Sequence, residues 1–246
     1  MIDRIVSMGA MLLVASFSLP VAGKYGDLDH AGSNVFDQAS VQRGAALFVN
    51  YCMGCHSAQY VRYQHLVNDL DLSEEEVLGY LAFGEQELSD YLLTAMRDED
   101  AEEWFGVVPP DLTLTARSRG PDWIYTFMRG FYLTDDGWNN QVLEFPAMPH
   151  VLWELQGVQR AVTEQRETAG GELRTEVVSL ELDQPGVLSP SEYDAAIRDL
   201  VAFMEYIAEP AQLKRKRVGI WVFLFLSLFT FLSWLLYQEF WKDVKK

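Results

Sequence analysis

Residues 52–56 read Cys52-Met53-Gly54-Cys55-His56, and both cysteines of the chain lie in this pentapeptide. Two thiols three positions apart on one helical turn can each add to a vinyl group of haem, and the adjacent imidazole can then bind the iron. Two other interpretations use the same residues: a redox dithiol, which usually lacks the adjacent histidine, and half of a zinc site, which needs two further ligands. The spacing favours one covalent haem c, attached through Cys52 and Cys55, with His56 as an iron ligand.

A haem that only transfers electrons needs a sixth iron ligand, and a methionine thioether there raises the reduction potential. Met148 is favoured because it lies in irregular chain between Pro146 and Pro149, which hold a side chain at low conformational cost. Met53 lies inside the motif itself. The remaining candidates lie in predicted helices, where a core role is usual: Met96, Met128 and Met204. His150 is the alternative ligand and would make the haem bis-histidine.

The two propionates of a haem need donors where they are partly buried. Arg117 and Arg119 follow Pro109-Pro110-Asp111-Leu112 in a region that is otherwise poor in arginine. A guanidinium pairs with a carboxylate through two parallel hydrogen bonds, which makes either arginine a candidate. A solvated arginine is the alternative at each position.

The composition limits the classes of partner. The 246-residue chain has 19 Lys+Arg against 36 Asp+Glu, a formal net charge of −17, and 49% hydrophobic residues. This hydrophobic content excludes a wholly disordered acidic chain, and the negative charge argues against nucleic acid as a partner. The charge is unevenly distributed, because residues 24–213 carry −22 and residues 214–246 carry +5.

Both ends of the chain are apolar. Residues 1–23 have a charged start, an apolar run and a small-residue end, which is typical of a cleaved signal peptide; an uncleaved transmembrane helix is the alternative. Residues 218–237 contain no charge and, at about 1.5 Å per helical residue, are long enough to span a bilayer. We therefore predict a signal peptide at 1–23, an exported domain at 24–213, a transmembrane anchor at 218–237 and a cytoplasmic tail at 238–246.

One signal opposes this orientation. Lys214-Arg215-Lys216-Arg217 precedes the anchor on the exported side, whereas the positive-inside rule favours basic residues in the cytoplasm. Export by the signal peptide and attachment of haem c on that side outweigh the rule. We expect the basic cluster to meet lipid headgroups.

Between the ends, the pattern predicts a mainly α-helical domain with a small β-hairpin. Residues 152–164 and 172–182 alternate charged and apolar residues around Ala169-Gly170-Gly171, which indicates a solvent-facing hairpin. Helices are expected at residues 40–51, 73–83, 86–98, 122–131 and from 189 to Pro210.

Several further stretches carry a specific pattern: Arg43-Gly44, residues 51–57, 60–66 and 104–119, Ala147-Met148-Pro149 and Ala208-Glu209-Pro210. Together with the C-terminal anchor they cover about residues 40–237. They resemble the bacterial cytochrome c1 family, the haem subunit of ubiquinol–cytochrome c reductase (the bc1 complex).

The resemblance implies a class I cytochrome c-like haem domain with insertions, followed by one C-terminal transmembrane helix. His56 and Met148 would be the iron ligands, and Pro110 and Arg119 would contact the haem. The crossing of the first and last helices of the domain would be packed by Gly44, Phe48 and one aromatic residue, Phe203 or Tyr206.

The resemblance also implies the partners. The haem would accept an electron from the Rieske iron–sulfur subunit and pass it to a soluble cytochrome c, within quinol oxidation and respiratory proton translocation, with no bond-making chemistry of its own. The anchor would pack beside cytochrome b in the lipid bilayer of the bacterial inner membrane, in a dimeric complex with the haem domain in the periplasm. The alternatives are an anchored cytochrome that feeds a terminal oxidase, and a haem sensor or peroxidase with an open sixth position.

Two features remain without a fixed role. Residues 156–182 are longer than the family pattern, and the hairpin there has no assigned function. The acidic stretches 69–76 and 98–103 are either solvated helix starts or a negative surface that steers a basic cytochrome c to the haem edge.

Overall fold

The structure, a computed structural model, describes residues 28–167 and 173–243, of which about half are helical. The helices are α1 Gln38–Leu47, α2 Tyr63–Leu70, α3 Glu74–Glu76, α4 Asp98–Phe105, α5 Thr115–Ser118, α6 Pro121–Arg129, α7 Trp153–Gln156, α8 Pro190–Ala208 and α9 Gln212–Trp241, with π-helical segments after α1 at Phe48–Cys52 and after α3 at Val77–Leu81. The strands are β1 Ala58–Arg62, β2 Tyr91–Leu92, β3 Phe131–Thr134, β4 Gly137–Asn140, β5 Gly157–Glu167 and β6 Leu173–Pro185. They pair antiparallel as β1–β2, β3–β4 and β5–β6.

The predicted mainly α fold with a small hairpin is confirmed, whereas the predicted signal peptide at 1–23 lies outside the described residues.

The crossing of α1 and α8 lies at the centre of the domain. Gly44 of α1 is so close to α8 that a Cβ atom on it would lie 2.0 Å from the carbonyl oxygen of Asp199 and 2.8 Å from the Cβ of Phe203. One helical turn later, the rings of Phe48 and Phe203 have centroids 5.3 Å apart, and both are fully buried. The expected helix crossing is therefore confirmed, with Phe203 as the aromatic residue that contacts Phe48.

An ion pair fixes the register of the same crossing. The buried carboxylate of Asp199 accepts hydrogen bonds from Ser40 Oγ at 2.5 Å and from two guanidinium nitrogens of Arg43 at 2.6 and 2.9 Å. Because both carboxylate oxygens have donors, the buried charge is compensated. Arg43 therefore holds α8 in register while Gly44 allows its close approach.

The prediction of a helix at residues 86–98 is wrong. Tyr91–Leu92 instead forms β2 against β1, and the backbone N–H of Tyr63 donates to the carbonyl of Asp90 at 3.1 Å. These hydrogen bonds to a distant part of the chain outweigh the local helical pattern, because they satisfy the backbone of both segments at once. The helix of this region starts only at Asp98, as α4.

The long hairpin attaches to the domain at its base. The side-chain amide of Gln159 on β5 donates to the carbonyls of Arg129 and Phe131, both at 2.9 Å. Farther from the domain, most side chains of the two strands are exposed. The hairpin prediction is confirmed, and its role stays open.

The C-terminal helix α9 is 30 residues long and is the one helix among residues 28–167 and 173–243 that is long and apolar enough to cross a membrane. Its apolar side chains are exposed along its length. The predicted span 218–237 lies inside α9, which begins earlier, at Gln212.

The basic cluster at the start of α9 contacts acidic residues of the domain. Lys214 Nζ lies 3.6 Å from Asp69 Oδ1, and Arg215 lies 2.9 Å from Glu209, which also pairs with Arg117 at 3.3 Å. The basic side chain of each pair is exposed to solvent, so each pair stabilises the fold only weakly. They connect the basic start of α9 to acidic residues of the domain.

Replacing Gly44 by alanine is expected to destabilise the domain, because the new methyl group would collide with backbone at 2.0 Å. Overpacking of this kind costs about 2 kcal/mol or more in the free energy of unfolding. Thermal unfolding of the detergent-solubilised holoprotein measures the effect. The matched control is Gly79→Ala, at a helical glycine with no atom within 4 Å of the added Cβ; equal melting temperatures for the two variants would contradict the close crossing.

Candidate haem site

The pentapeptide 52–56 forms a tight turn at the end of the first helix. α1 continues into the π-helical segment Phe48–Cys52, after which the N–H groups of Cys55 and His56 both donate to the carbonyl of Cys52, at 3.0 and 2.8 Å. Short π-helical turns are frequent at functional sites. The turn therefore brings the two cysteines and the histidine together on one short segment.

The cysteines differ in burial. Cys52 is 7% exposed, and burial, with a smaller effect of Cys55, raises the pKa of its thiol to about 12; Cys55 is half-buried. A redox dithiol requires a thiolate, which burial disfavours at Cys52. In addition, no three His, Cys, Asp or Glu side chains come together as a metal site within residues 28–167 and 173–243. A neutral thioether is the form of sulfur that the position of Cys52 accommodates best.

His56 is oriented by the backbone of a distant segment. Its Nδ1 donates to the carbonyl oxygen of Pro110 at 2.7 Å, which leaves Nε2 as the nitrogen for a metal. Burial lowers the pKa of His56, against smaller raising effects of the Pro110 carbonyl and of Asp111. The N–H of Leu112 also donates to the carbonyl of Ser57 at 2.8 Å. The segment 109–112 is therefore attached both to the imidazole of His56 and to the backbone of the next residue.

An apolar cleft of about 540 Å³, open to solvent, lies against this histidine. The residues that line it are Tyr51, Cys55, His56, Phe105, Val107, Pro109, Pro110, Ala147, Met148, Pro149 and Val151. Four of the predicted site residues, Cys55, His56, Pro110 and Met148, therefore meet in one cleft.

The two candidates for the sixth ligand occupy different environments. Met148 lines the cleft with His56, whereas His150 is 1% exposed and stacks on Phe131, with ring centroids 4.8 Å apart, and edge-on against Trp138 at 5.1 Å. Burial lowers the pKa of His150 to about 4. His150 is thus a neutral core residue outside the cleft lining.

The remaining methionines of the predicted candidate set lie elsewhere. Met53, Met128 and Met204 are buried in the core, and Met96 lines a separate, more polar cleft with Asp98 and Asp111. Met148 is the one member of this set whose thioether lines the cleft of His56.

The two arginines do not line this cleft. Arg119 is exposed, and its guanidinium carbon lies 4.5 Å from the ring centroid of Trp123. Arg117 pairs with Glu209 at 3.3 Å. The propionate contact of Arg119 therefore stays a prediction.

The apolar walls were not predicted as site residues. Tyr51 directly precedes the motif, and Phe105 and Val107 follow the acidic helix α4, but nothing in their local pattern separates them from ordinary core or surface residues. All three residues nevertheless lie in stretches of the family pattern, 51–57 and 104–119, and this is the one signal that pointed to this wall.

Comparison with known proteins decides the family. The model of the Cytochrome C1 family matches residues 30–244. The chain belongs to the cytochrome c1 family. A cytochrome c1 from Allochromatium vinosum is 46% identical over 244 residues, covering 98% of this chain and 99% of that protein. A cytochrome c1 from Rhodospirillum rubrum is 26% identical over 245 residues, covering 85% and 84% of the two chains. A protein from Nitrosomonas europaea named ammonia monooxygenase gamma subunit is 40% identical over 236 residues, 95% of each chain.

A cytochrome c1 carries one covalent haem c, and the cleft fits that group. It offers an imidazole with one nitrogen already engaged and a thioether, between apolar walls, and this is the donor set of a six-coordinate electron-transfer haem. The chain is thus a membrane-anchored haem protein of electron transport, with α9 as its candidate anchor.

Proposed function

We propose that this chain carries electrons from the Rieske iron–sulfur protein to a soluble cytochrome c, through one haem held by Cys52, Cys55, His56 and Met148. A cytochrome c1 is the haem subunit of ubiquinol–cytochrome c reductase, which also contains cytochrome b and the Rieske subunit. The observation that carries the assignment of the residues is the cleft shared by Cys55, His56 and Met148. Cys52 supplies the second sulfur from the adjacent buried position of the same turn.

The bound haem supplies one-electron chemistry, and the residues of the chain set the conditions for it. The Pro110 carbonyl holds the imidazole of His56 in one orientation and one tautomer, because Nδ1 must carry the proton that it donates. The Met148 thioether raises the reduction potential relative to a second imidazole. Phe105, Val107 and Pro109 form apolar walls, and the low polarity of these walls further tunes the potential.

The orientation in the membrane follows from the proposed targeting. Residues 1–23 would direct export and be removed, the domain 24–213 would lie in the periplasm, residues 218–237 would span the inner membrane and the tail 238–246 would lie in the cytoplasm. The complex would be dimeric, as the resemblance to the cytochrome c1 family implies. Lys214 and Arg215 pair with Asp69 and Glu209 of the domain, so the basic cluster has acidic partners on the side of the membrane where the domain is proposed to lie.

The two acidic stretches differ in how they meet the rest of the domain. Helix α4 is exposed on its acidic side and ends at Phe105, which lines the cleft. In the other stretch, Asp69 contacts Lys214 and the Tyr206 hydroxyl, and Glu76 closes a capping box with Ser73. We therefore propose that α4, and not the 69–76 stretch, steers the basic partner to the haem edge.

Replacing Met148 by leucine is expected to remove methionine ligation while the haem stays covalently attached through the two cysteines. The ferric protein should lose its far-red thioether charge-transfer band, and the reduction potential should fall, because the thioether stabilises ferrous iron. Absorption spectroscopy and redox titration measure both changes.

The control for this variant is Met204→Leu, a volume-conserving change at a buried methionine of α8. It should leave band and potential unchanged. A far-red band that persists in Met148→Leu would contradict ligation by Met148 and point to another methionine. Absence of the band from both the unmodified protein and Met148→Leu would favour His150.

Neutralising two exposed charges of α4, in the variant Glu102→Gln with Glu103→Gln, is expected to slow the reduction of a basic soluble cytochrome c several-fold at low salt. The difference should vanish at high ionic strength, where exposed charges are screened. Stopped-flow kinetics measure the rate.

The matched control neutralises two exposed charges of α3, as Glu74→Gln with Glu75→Gln, and should change the rate less. A rate that is insensitive to salt in the unmodified protein would contradict steering, and an equal effect of both double variants would contradict the assignment to α4.

A further inference from the structure

The loop that carries Met148 has no regular structure of its own. Residues 141–149 follow β4 without helix or strand, and most of their side chains are exposed. Met148 nevertheless packs partly buried against the core and lines the cleft. Something outside the loop must therefore hold its backbone in this path.

Each end of the loop is fastened to the core. At the start, Asn140 is 1% exposed, donates its amide to the carbonyl of Phe127 at 2.7 Å and accepts from the N–H of Val142 at 2.9 Å. At the end, the ring of His150 is stacked on Phe131, and its carbonyl accepts from Trp153 N–H at 3.2 Å. Between these ends lies the turn that directs the chain towards Met148.

That turn is strained. Phe145 has a φ of +45°, a left-handed conformation that is costly for a bulky residue, and it precedes Pro146, which restricts it further. Its ring is 60% exposed, so burial of the ring does not account for the conformation. A backbone conformation of this kind persists only where its surroundings enforce it.

One side chain meets the backbone of this turn. The Oδ1 of Asn139, at the end of β4, accepts the N–H of Phe145 at 2.7 Å and the N–H of Asn140 at 2.8 Å. Asn139 is 6% exposed, so both bonds are shielded from water. A single buried oxygen thus ties the strained residue to a rigid strand, three residues before Met148.

We propose that Asn139 is a positioning residue for Met148: its side-chain oxygen holds the left-handed turn at Phe145 and so keeps the thioether in the cleft beside His56. This inference rests on the proposed role of Met148 as iron ligand. Without the bond, Phe145 relaxes to negative φ and the three residues that follow are redirected. Methionine ligation then becomes an equilibrium with an open sixth position.

Carbon monoxide is a suitable probe, because it binds ferrous haem only where the sixth position opens. Asn139→Ala in the full-length holoprotein should weaken the far-red band of the ferric form and bind carbon monoxide about fivefold faster or more, the effect expected for loss of one hydrogen bond.

Asn139→Asp keeps the acceptor oxygen and should restore the band. Thr126→Ala removes a buried hydroxyl of α6 whose hydrogen bonds go to Asp29 and Asp122 and not to the loop, so it should lower thermal stability but keep the band.

A second variant tests the mechanism through the strain itself. Glycine adopts positive φ without steric cost, so Phe145→Gly should make the bond from Asn139 dispensable. The double variant with Asn139→Ala should then regain the band and exclude carbon monoxide. If Asn139→Ala does not retain haem, the far-red band is measured in the double variant and in Asn139→Asp. A band in both supports the role of Asn139, and its absence from both contradicts that role.

Met148→Leu serves as the reference for complete loss of the ligand. If that variant loses the band but Asn139→Ala keeps it and excludes carbon monoxide, the role of Asn139 is wrong while Met148 remains the ligand. If Thr126→Ala opens the site as much as Asn139→Ala, the effect is general destabilisation and the role of Asn139 is also wrong. If Met148→Leu itself leaves the band unchanged, the ligand assignment fails and the positioning role fails with it.

Discussion

The close contact of Gly44 with the backbone of Asp199 sets the distance between the first and last helices of the domain, and the haem motif depends on it. The pentapeptide 52–56 follows α1 within one π-helical turn, so the position of α1 determines where Cys52, Cys55 and His56 lie. Any side chain at position 44 would move that whole segment away from the core. The ion pair of the exposed Arg43 with the buried carboxylate of Asp199 fixes the same crossing along the helix axes.

The second half of the site is brought to this fixed half by backbone contacts. The carbonyl of Pro110 accepts from His56, and the carbonyl of Ser57 accepts from Leu112, so one irregular segment covers the motif. The loop with Met148 reaches the same cleft because the buried amide side chains at the end of β4 hold its backbone. Irregular chain thus supplies both of the walls that helix packing cannot supply.

The sequence was sufficient where local chemistry decides the structure. The helix start at residue 189 and the uncharged run in α9 each depend on a few neighbouring residues, and the structure has a helix at Pro190–Ala208 and a candidate membrane helix at Gln212–Trp241. The spacing of the thiols and the imidazole predicted a haem c, which the family carries. The helix at 86–98 failed because strand pairing and a long-range hydrogen bond to Tyr63 override its local pattern. The walls of the cleft and the role of Asn139 depend on contacts between distant segments, which no local pattern encodes.

The proposed function depends on one haem that is attached through the pentapeptide and ligated by one imidazole and one thioether. X-ray absorption at the iron edge of the purified ferrous protein tests it directly, because sulfur and nitrogen scatter differently. The account predicts one sulfur ligand and otherwise nitrogen ligands at iron, with the sulfur lost in Met148→Leu. A spectrum with nitrogen ligands alone in the unmodified protein would contradict it.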